Sequence, residues 1–133
     1  MEETRFVEIR HISKIYHSLD GETKALDDIS FNVGRGEIVI IVGPSGCGKS
    51  TILSIIAGLV KHSSGDVFIN GEKIVDTNKA IGYMFQSDHL FQWRTIMENV
   101  LIGLEIQNKV NKESIERVNR LLETYGLGEF KNH

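Results

Sequence analysis

The sequence predicts an α/β fold, because extended segments with alternating side chains give way, after a glycine-rich loop, to segments with helical periodicity. Apolar and polar residues alternate around residues 7–9 and again around residues 29–33, which predicts two strands. A continuous apolar run at residues 38–42 leads directly into the loop. Apolar stripes at helical spacing follow the loop and return in the C-terminal third.

The composition is that of a soluble globular protein. The chain has 133 residues, of which 41% are hydrophobic and 25% charged, enough for one small domain with a core. The formal net charge of -3 gives no indication of a nucleic-acid-binding surface, so no nucleic acid is expected as a partner. The single cysteine, Cys47, excludes a disulfide within the chain. No secretory signal is visible, and the longest apolar run is too short to span a bilayer.

The strands are predicted from local pattern. Glu37–Val42 lacks polar alternation, which is typical of a strand buried on both faces in the centre of a parallel sheet. Asn70-Gly71 separates two short apolar segments and predicts a hairpin, since both turn positions need a positive φ. The alternation of Ile81, Tyr83 and Phe85 predicts a further strand.

The helices are predicted from their stripes and caps. Ile52, Ile55, Ile56 and Leu59 form one apolar stripe after the loop. Thr95 and Glu98 match a capping box at the start of a second helix. Asn111 is placed to cap a third helix, and Gly126 is placed to end it.

Residues 43–50, GPSGCGKS, fit the motif G-x-x-x-x-G-K-[ST] and are called the phosphate loop below. The glycines allow backbone N–H groups to curl around phosphate oxygens, and the helix that follows favours anions at its N-terminus. Lys49 supplies a charge for the β- and γ-phosphates, and the Ser50 hydroxyl can coordinate Mg²⁺. The alternative is a glycine-rich turn before an ordinary helix. The sequence therefore predicts that ATP and Mg²⁺ bind at Gly43, Pro44, Ser45, Gly46, Cys47, Gly48, Lys49, Ser50 and Thr51.

Cys47 lies inside the phosphate loop, where two roles are open. A helix N-terminus lowers the pKa of a thiol, which would favour a reactive cysteine. The simpler role is that of a small side chain whose backbone N–H binds phosphate. The simpler role is favoured, because no histidine lies within the loop to act as a base.

Three longer segments, LDDISFNVGRGEIVIIVGPSGCGKSTILSIIAGL, SGDVFINGEKI and IGYMFQSDHLFQWRTIMENV, resemble the ATP-binding subunits of ABC transporters. The pattern that follows Phe85-Gln86 looks most like the importers for nitrate, sulfonates and taurine. The resemblance implies an incomplete P-loop NTPase fold of ABC type. It places an N-terminal antiparallel β region and the P-loop strand-helix core in residues 1–86, and the start of a helical subdomain in residues 87–133.

The resemblance also implies roles for residues outside the loop. Tyr16 matches the aromatic residue that stacks on adenine, although it could simply cover the core at a sheet edge. Gln86 matches a glutamine that reaches Mg²⁺ or the attacking water, so Lys49 and Gln86 are the expected catalytic residues; a polar residue ending a strand is the alternative. Leu90, Phe91 and Trp93 could dock a transmembrane permease subunit or cover the helical core.

By the same resemblance, two copies of the subunit enclose two ATP molecules and drive permease subunits at the cytoplasmic face of the plasma membrane, as a peripheral protein. A periplasmic or extracellular solute-binding protein completes such importers. No L-S-G-G-Q-like signature, Asp-Glu strand end or switch histidine is found in the sequence, which indicates an N-terminal fragment. We therefore expect ATP binding without hydrolysis, an exposed sheet edge and poor solubility.

Other functions stay open at this point. A soluble ABC protein of translation or DNA maintenance would share the loop, and the apolar residues at 90–93 argue against it. A different P-loop enzyme, such as a small-molecule kinase, would make Tyr16 and Gln86 coincidences. A nucleotide-binding remnant without activity is the fourth possibility.

Overall fold

The computed structural model describes residues 5–19, 21–78, 81–87 and 90–133, and the chain divides into two compact units, Met1–Tyr83 and Met84–His133. The first unit contains β1 (Arg5–Ser18), β2 (Gly21–Gly34), α1 (Lys49–Ile56), β3 (Ser64–Ile69) and β4 (Glu72–Lys73). The second contains α2 (Ile96–Ile106), α3 (Lys112–Thr124) and a 3₁₀ turn (Gly128–Phe130). None of the described helices has the length and apolar character needed to cross a membrane.

The first unit is built on one antiparallel sheet with strand order β2-β1-β3-β4. Ile9 in the central strand pairs with Phe31 on one side and with Val67 on the other. The inward side chains of the sheet and of α1, together with Ile74 just after β4, meet in one core cluster: Ile9, Ile12, Leu26, Ile52, Ile55, Val67, Ile69 and Ile74. The alternation around residues 7–9 and 29–33 therefore predicted β1 and β2 correctly.

The hairpin between β3 and β4 turns at the predicted dipeptide. Asn70 and Gly71 have φ angles of 51° and 81°, and Ile69 pairs with Glu72 across the turn. Both φ angles are positive, as a two-residue turn of this hand requires. The prediction is confirmed because the turn depends only on these two residues.

Two left-handed residues face each other across β1 and β2, where the strand register shifts. His11 and Asp28 have φ angles of 51° and 50°, and His11 Nδ1 lies 2.7 Å from Asp28 Oδ1. The irregular backbone bonds to serine hydroxyls instead of carbonyls: His11 N–H donates to Ser30 Oγ at 2.8 Å, and Asp28 N–H donates to Ser13 Oγ at 3.0 Å. These serines let the sheet keep its hydrogen bonds through the bulge.

The segment Glu37–Val42 is not a buried strand, so that prediction was wrong. The chain here is irregular, Ile38 is 88% exposed and Val42 is 84% exposed, and only Ile41 packs against the core cluster. A strand of this kind is held by neighbouring strands, and the described strands all belong to the antiparallel sheet. The apolar run therefore has no paired neighbour among the described residues.

The strand predicted around Ile81, Tyr83 and Phe85 is also absent. Residues 81–85 are irregular, although Ile81 packs against the core cluster and the Tyr83 hydroxyl lies 3.1 Å from Ser54 Oγ. Phe85, by contrast, is exposed. Side-chain alternation alone does not make a strand when no partner strand is present.

Helix α1 ends earlier than its apolar stripe suggests. Ile52 and Ile55 are buried, but Leu59 lies beyond the helix and is largely exposed. Gly58 ends the helix in the left-handed region, with φ 72°. Its N–H donates to Ile55 O at 3.0 Å, and the next N–H, of Leu59, donates to Ser54 O at 2.9 Å. This pair of bonds gives partners to two of the last carbonyls of the helix, those of Ser54 and Ile55.

Both helices of the second unit begin at the predicted caps. Thr95 Oγ1 accepts from the Glu98 N–H at 3.2 Å, and Glu98 Oε2 accepts from the Thr95 N–H at 2.8 Å. Asn111 and Ser114 exchange the same pair of bonds, at 2.8 and 2.9 Å. In each box, side chains already accept hydrogen bonds from N–H groups at the start of the helix. These N-termini therefore have fewer free donors for a ligand than an uncapped helix has.

We expect Gly58→Ala to destabilise the chain by about 1–3 kcal/mol, because a left-handed non-glycine residue is strained. An alanine Cβ would in addition run into the backbone oxygen of Asp76. Gly103 lies inside α2, and a Cβ there meets no other atom, so Gly103→Ala is the matched control and should stabilise by about 0.5–1 kcal/mol. Urea unfolding measures the free energy of unfolding of both variants. Equal changes of the same sign would contradict the claim that Gly58 is held in a conformation that only glycine adopts without strain.

We also expect the capping box of α2 to make stability depend on pH. The hydrogen bond from the Thr95 N–H favours the carboxylate and lowers the pKa of Glu98. Because the pKa is lower in the folded chain, the contribution is complete above the unfolded glutamate value of about 4.3 and is lost as pH falls through the folded value. Glu98→Gln should therefore flatten the acid side of the stability profile, measured by urea unfolding. Glu116→Gln, on the exposed part of α3, is the control, and an identical profile for both variants would oppose the prediction.

Candidate phosphate-binding site

The phosphate loop enters α1 through two left-handed glycines. Gly46 and Gly48 have φ angles of 78° and 94°, and Gly48 is the N-cap of the helix. Left-handed residues alternating with ordinary ones turn successive N–H groups towards the same side of the backbone, which makes a concave site for an anion. The loop therefore has the backbone form that its sequence predicted.

Gly48 is pressed against the sheet. A Cβ added to it would lie 2.6 Å from the Ala25 carbonyl oxygen and 2.8 Å from Leu26 Cδ2, both on β2. Its φ and this lack of space each exclude a side chain. The contact fixes the end of the phosphate loop, and the start of α1, against the β1–β2 hairpin.

The N-terminus of α1 is uncapped. No side-chain hydrogen bond caps it, and its first turn contains no acidic residue. The first backbone bond of the helix runs from the Ile52 N–H to Gly48 O at 3.0 Å. The N–H groups of Lys49, Ser50 and Thr51 therefore have no acceptor within the helix. Unlike the starts of α2 and α3, this helix end keeps its donors and its partial positive charge for an anion.

Lys49 spans the phosphate loop from its end to its beginning. Its Nζ donates to Gly43 O at 2.8 Å and to Pro44 O at 2.6 Å. No carboxylate among the described residues forms an ion pair with it. The ammonium is therefore placed at the mouth of the loop and held by neutral carbonyls, and its charge is not neutralised.

Cys47 packs inside the loop. A Cβ on Gly43 would lie 2.7 Å from Cys47 Sγ, and Lys49 Nζ lies 3.6 Å from the same sulfur. The thiol is exposed. The Cys47 side chain therefore lies close to both ends of the loop, and its simpler role as a small side chain stays a prediction.

The remaining loop residues are accessible. Pro44, Ser45 and Ser50 are exposed, and Thr51 is partly buried behind them in the first turn of α1. Ser50 lies in the first turn of α1, directly after Lys49. Its hydroxyl oxygen and the bare N–H groups around it fit Mg²⁺ held together with phosphate.

Tyr16 belongs to the same unit as the phosphate loop. It pairs with Thr23 across the β1–β2 hairpin, close to the stretch of β2 that contacts Gly48. The residue is 42% exposed. Lys14 Nζ lies 4.8 Å from the centroid of the ring.

The second unit contains the other predicted residues. Gln86 is exposed in a bend, and Leu90 is exposed as well. The rings of Phe91 and Trp93 lie 4.9 Å apart between centroids, and Trp93 is 80% exposed. We call Leu90, Phe91 and Trp93 the aromatic turn. All three residues are exposed, with Phe91 the least exposed of them.

Asn99 was missed by the sequence analysis and organises the aromatic turn. Its Oδ1 accepts from the Phe91 N–H at 2.9 Å. Its Nδ2 donates to the carbonyls of Phe91, Arg94 and Thr95 at 3.1, 3.1 and 3.0 Å. The Thr95-x-x-x-Asn99 spacing, which puts the amide one helical turn after the cap, was the available signal. The amide fixes the backbone that presents the two rings.

Comparison with known proteins agrees with this geometry. A family model described as "ABC transporter" matches residues 26–133. The uncharacterized ABC transporter ATP-binding protein YtlC of Bacillus subtilis is 43% identical over 122 residues, which cover 92% of this chain and 47% of the relative. The aliphatic sulfonates import ATP-binding protein SsuB of Bacillus cereus is 39% identical over 110 residues, which cover 83% of this chain and 44% of the relative.

A solved structure shows the same fold. It is the dimeric post-hydrolysis state of the ATP-binding cassette MJ0796 bound to ADP and Pi, with a TM-score of 0.82 and 33% identity, covering 96% of this chain and 60% of that one. The chain thus spans about half the length of the curated relatives it matches. With its phosphate loop, its antiparallel sheet and this likeness, the chain belongs to the ABC transporter family, as part of an ATP-binding cassette with the P-loop NTPase fold.

Proposed function

We propose that the chain is part of the ATP-binding subunit of an ABC importer and that it binds MgATP through residues 43–51. The observation that carries the proposal is the uncapped start of α1 together with the unneutralised ammonium of Lys49 at the mouth of the loop. A polyphosphate supplies negative charge to pair with the ammonium and oxygen acceptors for the free N–H groups of α1.

Binding would exchange the partners of Lys49. Its Nζ now donates to two loop carbonyls, and it would donate to β- and γ-phosphate oxygens when a nucleotide enters. The N–H groups of Lys49, Ser50 and Thr51 would meet the phosphates at the helix start, and the Ser50 hydroxyl would ligate the metal. Mg²⁺ would supply charge neutralisation between the phosphates. The role of Gln86 towards metal and water rests on the family resemblance and stays a prediction.

The adenine would stack on Tyr16. Tyr16 pairs with Thr23, and Gly48 contacts β2 at Ala25 and Leu26, two to three residues further along the strand. At about 3.3 Å per residue this separation is on the order of 7–10 Å, comparable to the ribose and first phosphate that join the base to the β-phosphate. The hairpin would therefore hold base and phosphates at suitable spacing.

Hydrolysis belongs to the longer protein in this proposal. The 133 residues provide the phosphate loop and Gln86 but no strand ending in Asp-Glu and no signature motif. A base and a second cassette would complete the site, and a dimeric arrangement is described for the solved cassette MJ0796. We propose that this stretch alone binds MgATP without turning it over, and that Lys49 and Gln86 are catalytic in the complete protein.

The aromatic turn would dock a transmembrane permease subunit at the cytoplasmic face of the plasma membrane, with the subunit bound peripherally. Exposed rings on a backbone fixed by Asn99 suit a stable apolar contact. The similarity to SsuB favours a sulfonate-like solute, delivered to the permease by a periplasmic or extracellular solute-binding protein. A soluble ABC-type protein or another P-loop nucleotide-binding protein is the alternative; it would need no membrane partner.

Replacement of Lys49 tests the phosphate site. Lys49→Ala should weaken MgATP binding tenfold or more, because charged hydrogen bonds are worth about 1.5–3 kcal/mol each. Isothermal calorimetry on the folded chain measures the change, with circular dichroism as the check on folding. Lys61→Ala, at an exposed lysine of the same unit, should leave binding unchanged. Binding that is indifferent to Lys49, or a Lys49-dependent ATPase rate in the isolated chain, would contradict the corresponding part of the proposal.

Replacement of Trp93 tests the docking surface. In the full-length subunit, Trp93→Ala should reduce co-purification with the integral membrane partner several-fold, because a large buried ring is lost from the contact. Tyr125→Ala, at an equally exposed aromatic position of the same unit, is the matched control and should have no effect. Failure of the unaltered subunit to retain any membrane partner would favour the soluble alternative.

A further inference from the structure

Lys14 and Tyr16 lie two positions apart on β1, and their side chains meet on one side of the strand. The Lys14 ammonium is 4.8 Å from the centroid of the Tyr16 ring, within the range of a cation–π contact. The lysine residue is partly buried and Tyr16 is exposed, so the contact lies at the surface of the hairpin. One face of the ring is therefore occupied by a cation.

Other basic side chains on the same hairpin pair with carboxylates, whereas Lys14 contacts a ring. Lys24 Nζ lies 3.0 Å from Asp27 Oδ1, and His17 Nδ1 lies 3.1 Å from Glu22 Oε1. Within the described ranges, Lys14 forms no such pair with a carboxylate. Its ammonium is directed to the ring even though the hairpin contains several acidic groups.

A cation over one face affects what can bind at the other. It holds the ring in one orientation, and it draws the negative charge of the π-face towards itself. The opposite face then repels the π-electrons of a stacked purine less. It is also the face left available, since the ammonium occupies the first one.

We propose that Lys14 is a positioning residue for the adenine site: it fixes the Tyr16 ring and makes the face opposite its ammonium the stacking surface for the base. This inference rests on the proposed function, in which Tyr16 stacks on adenine. Lys14 contributes through the ring and leaves the phosphates to residues 43–51. Its effect is therefore specific to ligands that contain a base.

The experiment compares two ligands on the 133-residue chain: MgATP and magnesium tripolyphosphate, which has the phosphates without the base. Lys14→Met keeps the aliphatic stem and removes the charge. It should weaken MgATP binding about two- to fivefold, the usual strength of an exposed cation–π contact, and leave tripolyphosphate binding unchanged. Lys14→Arg should retain MgATP binding, because a guanidinium also binds the ring face.

Two further variants distinguish an effect of Lys14 on the Tyr16 ring from a general effect of removing a positive charge. Lys24→Met removes a nearby charge that is paired with Asp27 and should affect neither ligand. In a Tyr16→Leu background, Lys14→Met should have no additional effect on MgATP. Calorimetry gives all the dissociation constants, and circular dichroism confirms that each variant folds.

The outcomes are distinct. The Lys14 proposal is overturned if Lys14→Met leaves MgATP binding unchanged or tighter, or if it weakens both ligands equally, while Lys49→Ala still abolishes the binding of both. If Lys49→Ala changes neither ligand, the phosphate site is itself wrong and the inference falls with it. If Tyr16→Leu binds MgATP normally, the adenine assignment fails and the phosphate site survives.

Discussion

The contact between Gly48 and β2 is the constraint on which the rest of the site depends. The Ala25 carbonyl and the Leu26 side chain leave no room for a Cβ between sheet and helix start. This fit places the bare N–H groups of α1 against the hairpin that carries Tyr16. A helix with the same sequence packed elsewhere would keep the partial positive charge at its N-terminus. It would no longer lie at a fixed distance from the ring of Tyr16. The geometry of the site is therefore a property of the packing between α1 and the sheet.

The second feature is the contrast among helix starts. In α2 and α3, side chains of Thr95, Glu98, Asn111 and Ser114 satisfy the first donors. In α1 a left-handed glycine occupies the cap position and provides no acceptor. The chain thus stabilises the starts of α2 and α3 with its own side chains. The donors at the start of α1 are left for a ligand that enters the phosphate loop. Stability lost at an uncapped terminus is typical of a binding site, where function and stability compete.

The sequence predicted what depends on nearby residues and failed where distant ones decide. The Asn70-Gly71 turn and the boxes at Thr95 and Asn111 are determined within four residues, and all are confirmed. The strands proposed at residues 37–42 and 81–85 need partners that local patterns do not provide. Asn99, which bonds back to Phe91, was missed because hydrogen bonds over eight residues follow from the turn and not from periodicity. The loop was predicted because its glycines, lysine and serine are contiguous.

The irregular segment at residues 37–42 has a thermodynamic consequence. Because Ile38, Ile40 and Val42 are already hydrated in the folded chain, unfolding adds little new contact between them and water. The heat capacity change and the denaturant slope scale with newly exposed surface, so both should be smaller than for a compact domain of equal length. A shallow slope gives a broad transition. The unfolding transition of this unit should therefore extend over a wider range of denaturant concentration than that of a compact domain of equal length.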